Sequence, residues 1–145
     1  MLMTKIEALA KHLDMTVEDV EAENRAYGDG CYELRGATYL VCTAEEADEQ
    51  AADNIRDSLW AFNTDFIIEH SDLPPEAKEM ITSFQESKCE DANDTIKALI
   101  KDEEEFIDDA LAADGRGHFL SSYDGEEHEV VDPETKEAYY IYRTN

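Results

Sequence analysis

The chain has 145 residues, the right length for one domain with a core of its own. Its 37 Asp and Glu face only 12 Lys and Arg, a formal net charge of −25. That charge repels phosphate and argues against direct binding of DNA, RNA or an anionic membrane, leaving basic proteins or cations as the natural partners.

In chain order, residues 3–13 put Ile6, Leu9, Ala10 and Leu13 on one face of a short helix. Thr16 caps a second one, TVEDVEAE, whose Glu18 and Asp19 stand in the favourable first turn. The pair has the spacing of a DNA-reading helix-turn-helix. Its second helix, however, offers Glu18, Asp19, Glu21 and Glu23 where base readers need Arg, Asn or Gln, so a plain helical hairpin is expected. YGDG at 27–30 is a turn, and CYELR and ATYLVC on either side of Gly36 read as a hairpin spanning 31–42.

Thr43 ends that hairpin and starts a helix, with Glu46 placed to complete a capping box. Along it Ala44, Ala47, Ala51, Ile55, Leu59 and Phe62 form an apolar stripe, and Trp60 and Phe62 are assigned to the core. Helical segments are expected through 44–113. DFIIEH is a short helix or buried segment, Pro75 opens a helix EAKEMITSFQE, and 91–113 is either one helix or two divided near Lys101-Asp102. From His118 the pattern turns to period two: HFLSSY, an Asp124-Gly125 turn, EEHEVV, Asp132-Pro133 and AYYIYR. That reads as a three-stranded meander over 118–143. The whole, 1–145, is expected to be a single α+β domain of short helices packed on small antiparallel hairpins.

Few residues invite chemistry. A two-residue turn at Asp124-Gly125 would send His118 and His128 to opposite faces of the sheet, so no shared metal is expected. The acidic runs lack the ligand spacing of a calcium-binding helix–loop–helix. ADGRGHF offers Asp114, Arg116 and His118 around two glycines, but a helix end running into a strand accounts for both glycines. There is neither a nucleophile elbow nor a phosphate loop, and no catalytic residue or cofactor is assigned. Cys31, Cys42 and Cys89 form an odd set without metal-ligand spacing. With no leader or apolar span in view, a reduced cytosolic protein is expected, its homo-oligomeric state left open.

The acids carry the strongest signal. Glu45, Glu46, Asp48, Glu49, Asp53 and Asp57 are answered in their stretch by Arg56 alone, and a second run holds Glu103, Glu104, Glu105, Asp108 and Asp109. From Glu45 to Asp57 a helix rises about 18 Å, so its acids average ~3.6 Å apart along the axis. One strand of B-DNA presents a phosphate every ~3.4 Å. The i, i+4 ridge of Glu45, Glu49, Asp53 and Asp57 repels itself at a few tenths of a kcal/mol per pair. A cost without local compensation points to a use elsewhere.

ADGRGHFLSSYDGEEHE with YYIYRTN, and YLVCTAEEADEQAADNIRDSLWAFN in the middle, resemble small acidic proteins encoded by bacteriophages. The resemblance implies a phage origin. It also favours a role among inhibitors of host defence, such as anti-CRISPR and anti-restriction proteins that imitate nucleic acid, and it carries over no site residues. The reading that follows is a non-enzymatic inhibitor in the cytoplasm of the infected bacterium. Its acids would occupy the groove of a basic nucleic-acid-binding host protein, a CRISPR effector or a defence nuclease. The alternative is a phage accessory or regulatory module that binds a protein without imitating DNA.

Overall fold

The structure is a computed structural model and describes residues 2–145. It is α+β, with helices and one four-stranded antiparallel sheet. Helix α1 (Lys5–Leu13) is opened by a capping box between Thr4 and Glu7, and α2 (Val17–Glu23) by the Thr16 side chain accepting from the Asp19 N–H. Strands β1 (Cys31–Leu34) and β2 (Ala37–Cys42) form the expected hairpin. Helices α3 (Ala44–Asp57), α4 (Thr64–Glu69), α5 (Lys78–Lys88), α6 (Asn93–Leu99) and α7 (Glu103–Leu120) follow, with short 3-10 turns at Leu59–Ala61, Pro75–Ala77 and Cys89–Ala92. The break between α6 and α7 falls at residues 100–102, where the apolar spacing slips. Strands β3 (His128–Val131) and β4 (Ala138–Arg143) complete the sheet.

The chain divides into two compact units, one made of the residues up to Ala51 together with Asp114–Asn145, the other of Ala52–Ala113. In the first, the sheet runs β1-β2-β4-β3. Leu40 pairs with both Cys31 and Tyr142, and Val130 with Tyr139. Helix α1 lies against β2, β3 and β4, and α2 against β1. Their apolar stripes bury Ala8, Leu9 and Val20 on Leu34, Val41, Val130 and Ile141. Each Leu, Val or Ile among them contributes roughly 1.5–3 kcal/mol when fully buried.

The second unit is helical. Ile55, Leu59, Ile67, Ile81, Ile96 and Phe106 are buried, and the Phe62, Phe66, Phe106 and His70 rings meet at centroid distances of 4.8–5.8 Å. Half-buried side-chain amides fix the turn after α3. Gln85 donates to the carbonyls of Trp60 and Phe62, while Asn93 accepts from the Trp60 N–H and donates to the Arg56 carbonyl. Trp60 and Phe62 are half-buried here rather than fully in the core.

The three-stranded meander over 118–143 is not what forms. HFLSSY does not make a strand; α7 continues to Leu120 across a kink at Gly115, whose φ of 81° and ψ of 161° interrupt the helix. Two contacts favour the helical course. Gly117 packs so closely on the next loop that a Cβ there would sit 2.5 Å from the Gly125 carbonyl oxygen. Ser121 Oγ then bonds Asp124 and the Arg143 carbonyl, closing the turn. The third neighbour in the sheet is β2, which joins the 31–42 hairpin to β3 and β4.

Candidate functional site

Helix α3 starts where the sequence places it. Thr43 Oγ1 accepts from the Glu46 N–H at 3.2 Å, and Glu46 accepts from the Thr43 N–H at 2.9 Å. That backbone bond, helped by Lys5 at 3.0 Å, lowers the Glu46 pKa against the opposing effect of burial. Lys5 is shared with Asp29 at 3.1 Å, and the two carboxylates raise its pKa although burial works the other way. Glu46 is therefore a structural acid, half-buried. Ala47, Ala51 and Ile55 of the apolar stripe are buried, and Ala44 at its start is exposed.

The other acids of α3 are all exposed. Asp48 pairs with Arg116 at 3.1 Å, and Asp53 with Arg56 at 2.9 Å. Among the described residues Glu45, Glu49 and Asp57 make no ion pair. Glu45 sits in the first turn, where the helix dipole favours an acid. Glu49 has no such support, and Asp57, the last residue of α3, stands beside the carbonyl end, where the dipole disfavours it. Steps along the ridge of Glu45, Glu49, Asp53 and Asp57 are about 6 Å. That is close to every second phosphate of a DNA strand, roughly 6.8 Å.

The acidic run of α7 is built differently. Asp102 Oδ1 caps the helix through the Glu105 N–H at 3.2 Å, which places Glu103, Glu104 and Glu105 in the first turn. Glu103 takes Arg56 Nε at 2.6 Å and Lys97 at 3.8 Å, so Arg56 joins it to Asp53 and raises its own pKa by those bonds. Asp109 pairs with the buried His70 at 3.2 Å. Glu104, Glu105 and Asp108 are exposed, without ion pairs among the described residues.

The enzyme-like ADGRGHF stretch does not assemble a site. Arg116 turns inward: its Nε meets Glu127 at 2.9 Å, its Nη1 meets Asp48 and the Ala44 carbonyl, and its guanidinium lies 4.4 Å from the Tyr140 ring centre. The Tyr142 hydroxyl donates to the same Glu127. Burial resists the Arg116 charge, but Glu127, Tyr142 and Asp48 outweigh it and raise the pKa. Burial, then Glu127, raises that of Tyr142. Asp114 and His118 stay exposed, and no hydrogen bond or ion pair among the described residues joins them to Arg116.

The opposite-face placement of His118 and His128 on one sheet does not arise, because His118 lies on α7. His128 instead faces His12, ring centres 4.7 Å apart, and burial followed by the neighbouring imidazole lowers the His12 pKa. Among the described residues, possible ligand atoms of Asp124, Glu126 and His128 come within 4.8 Å of one another. Asp124 Oδ1 is already engaged by Ser121 Oγ and the Glu126 N–H, the first cause of its lowered pKa being the latter. The three alternate along the chain at 124, 126 and 128, a pattern that the reading of the sequence above does not single out. Burial lifts the Cys42 thiol to about 11, while Cys31 is half-buried and Cys89 exposed.

The second unit also carries a wholly apolar groove of about 240 Å³ on α5 and α6, over which Met80 is 64% exposed. No helix of the described residues is long and apolar enough to cross a membrane. No family model, curated protein or solved structure matches this chain.

Proposed function

We propose that this is a non-enzymatic, phage-encoded inhibitor of a basic nucleic-acid-binding host protein, acting in the cytoplasm of the infected bacterium. The partner class is a CRISPR effector or a defence nuclease, and α3 takes the place of a nucleic-acid strand in its groove. The observation that carries the reading is the line of exposed acids on α3, in which Glu49 and Asp57 have neither an ion pair among the described residues nor dipole support. Against a cationic groove their mutual repulsion becomes attraction, and the net charge of −25 steers fast, salt-sensitive association. Glu45, Asp48, Glu49, Asp53 and Asp57 form the contact line. Glu104, Glu105 and Asp108 of α7 are exposed as well, while Glu46, Glu103 and Asp109 are largely engaged by Lys5, Arg56 and His70.

The test is capture of partners from bacterial lysate at low and high salt, read by mass spectrometry, with the wild-type chain and a Glu45→Gln/Glu49→Gln/Asp53→Asn/Asp57→Asn variant. Recovery of a nuclease, lost in salt and lost in the variant, supports the reading; partners indifferent to both treatments overturn it.

A second reading, an accessory module that binds protein without imitating DNA, is favoured by the exposed Met80 and its apolar groove. In that case neutralising α3 leaves binding intact.

A further inference from the structure

We propose that the groove between α5 and α6 receives one large apolar side chain carried on a cationic amphipathic helix of a partner protein. Leu73, Met80, Ile81, Phe84, Ile96 and Leu99 line it together with Thr95, and the surface they expose there is apolar. Ile81 and Ile96 are buried at its floor, whereas Met80 stands 64% exposed at the mouth. The pattern is unusual for a chain whose other exposed positions are mostly charged, since an exposed thioether over an apolar hollow gains nothing from water.

Size selects a side chain over a small molecule. About 240 Å³ falls below the roughly 300–1,000 Å³ of small-molecule sites. It exceeds the ~150 Å³ cavity known to hold benzene, so an aromatic or branched aliphatic group fits.

Charge selects the carrier. A second copy of this chain would bring another −25 against the first, and the groove is too small to offset that repulsion. Exposed acids precede the groove residues of both helices in sequence, Glu76 and Glu79 ahead of Met80, Asp91 and Asp94 ahead of Thr95. Of the nearby lysines, Lys78, Lys97 and Lys101 are drawn off by Asp65, Glu103 and Asp72. An apolar anchor with Lys or Arg one turn to either side satisfies groove and rim together, the arrangement of a helix laid in a groove. The inference does not rest on nucleic-acid imitation, because α3 is not part of this surface.

The experiment uses two synthetic helical peptides of equal positive charge, one of Leu and Lys, the other with Ser in place of Leu. Binding is measured by fluorescence anisotropy, and the Met80 methyl is followed by NMR. The Leu/Lys peptide is expected to bind at least about tenfold more tightly than the Ser/Lys peptide and to shift the Met80 methyl. Met80→Gln, at an exposed position, should erase most of that difference. The four-acid α3 variant should weaken both peptides alike and preserve the difference, so failure of the nucleic-acid reading is distinguishable from failure of this one. Equal binding of the two peptides, an unmoved Met80 methyl, or self-association of the chain lost in Met80→Gln would each overturn the proposal.

Discussion

The acids at the start of α7 and two of those on α3, Glu49 and Asp57, are the same residue types in helices of the same protein, yet their energetics have opposite sign. Glu103, Glu104 and Glu105 sit in a first turn capped by Asp102, and Glu103 is clamped by Arg56. The helix dipole and the ion pair together account for their presence without any partner. Glu49 and Asp57 occupy the middle and the end of α3, where neighbours at i, i+4 repel them and the dipole gives nothing or opposes them. Acidity is thus not one property here. Part of it holds helices together, and part of it is left over.

The largest expected effect lies on the structural side of that division. Arg116→Ala removes the cation that Asp48 and Glu127 share and leaves the hydrogen-bonded Tyr142–Glu127 pair without its counter-charge. It should lower the unfolding free energy by about 2–3 kcal/mol in urea titration, somewhat less than a fully buried pair because Arg116 retains some exposure. A loss below about 0.5 kcal/mol would mean that the first unit does not depend on this node.

The two acidic helices should then respond oppositely to neutralisation. Glu103→Gln/Glu104→Gln/Glu105→Gln is expected to destabilise by about 1 kcal/mol. Glu49→Gln/Asp57→Asn is expected to stabilise by about 0.5 kcal/mol. Thermal melts at low ionic strength check both signs, and the same sign for both would dissolve the distinction.

A smaller effect concerns pH. Partial burial, then the neighbouring His128, lowers the His12 pKa, so the unfolded chain binds its proton more readily. Stability contributed by the neutral ring is present above the unfolded value, ~6.5, and is lost as pH falls below it. The difference in melting temperature between wild type and His12→Asn should narrow on going from pH 7.5 to 6; a difference independent of pH would contradict the lowered His12 pKa. Smallest of all, Cys89 should alkylate first in the native protein. Cys42, with its thiol raised to about 11 by burial, should react only after unfolding. Mapping by peptide mass spectrometry checks the order.

Local signals in the sequence led to the right local structures. Thr43 and Glu46 lie three residues apart and form the capping box that their spacing announces, and the slip near Lys101-Asp102 is a real break. The failures were long-range or ambiguous in period. HFLSSY alternates well enough for a strand, and only the approach of Gly117 to Gly125 and the Ser121 bonds show why the chain stays helical to Leu120. Pairing of β2 with β4 joins residues a hundred positions apart, for which no local pattern exists. For the acids, composition revealed their excess but not their partition. Which carboxylate Lys5 or Arg116 would claim depends on contacts 41 and 68 residues away.

The central claim is that position on α3, not total charge, makes the contact surface. It is tested most directly by two variants that remove the same three charges, Glu45→Gln/Glu49→Gln/Asp57→Asn and Glu103→Gln/Glu104→Gln/Glu105→Gln, each assayed for binding to the captured nuclease at low salt. The account predicts that the α3 variant loses at least about tenfold in affinity while the α7 variant, if still folded, stays within about threefold of wild type. Equal losses in the two would show that net charge alone governs association, and no loss in either would remove the acids from the interface.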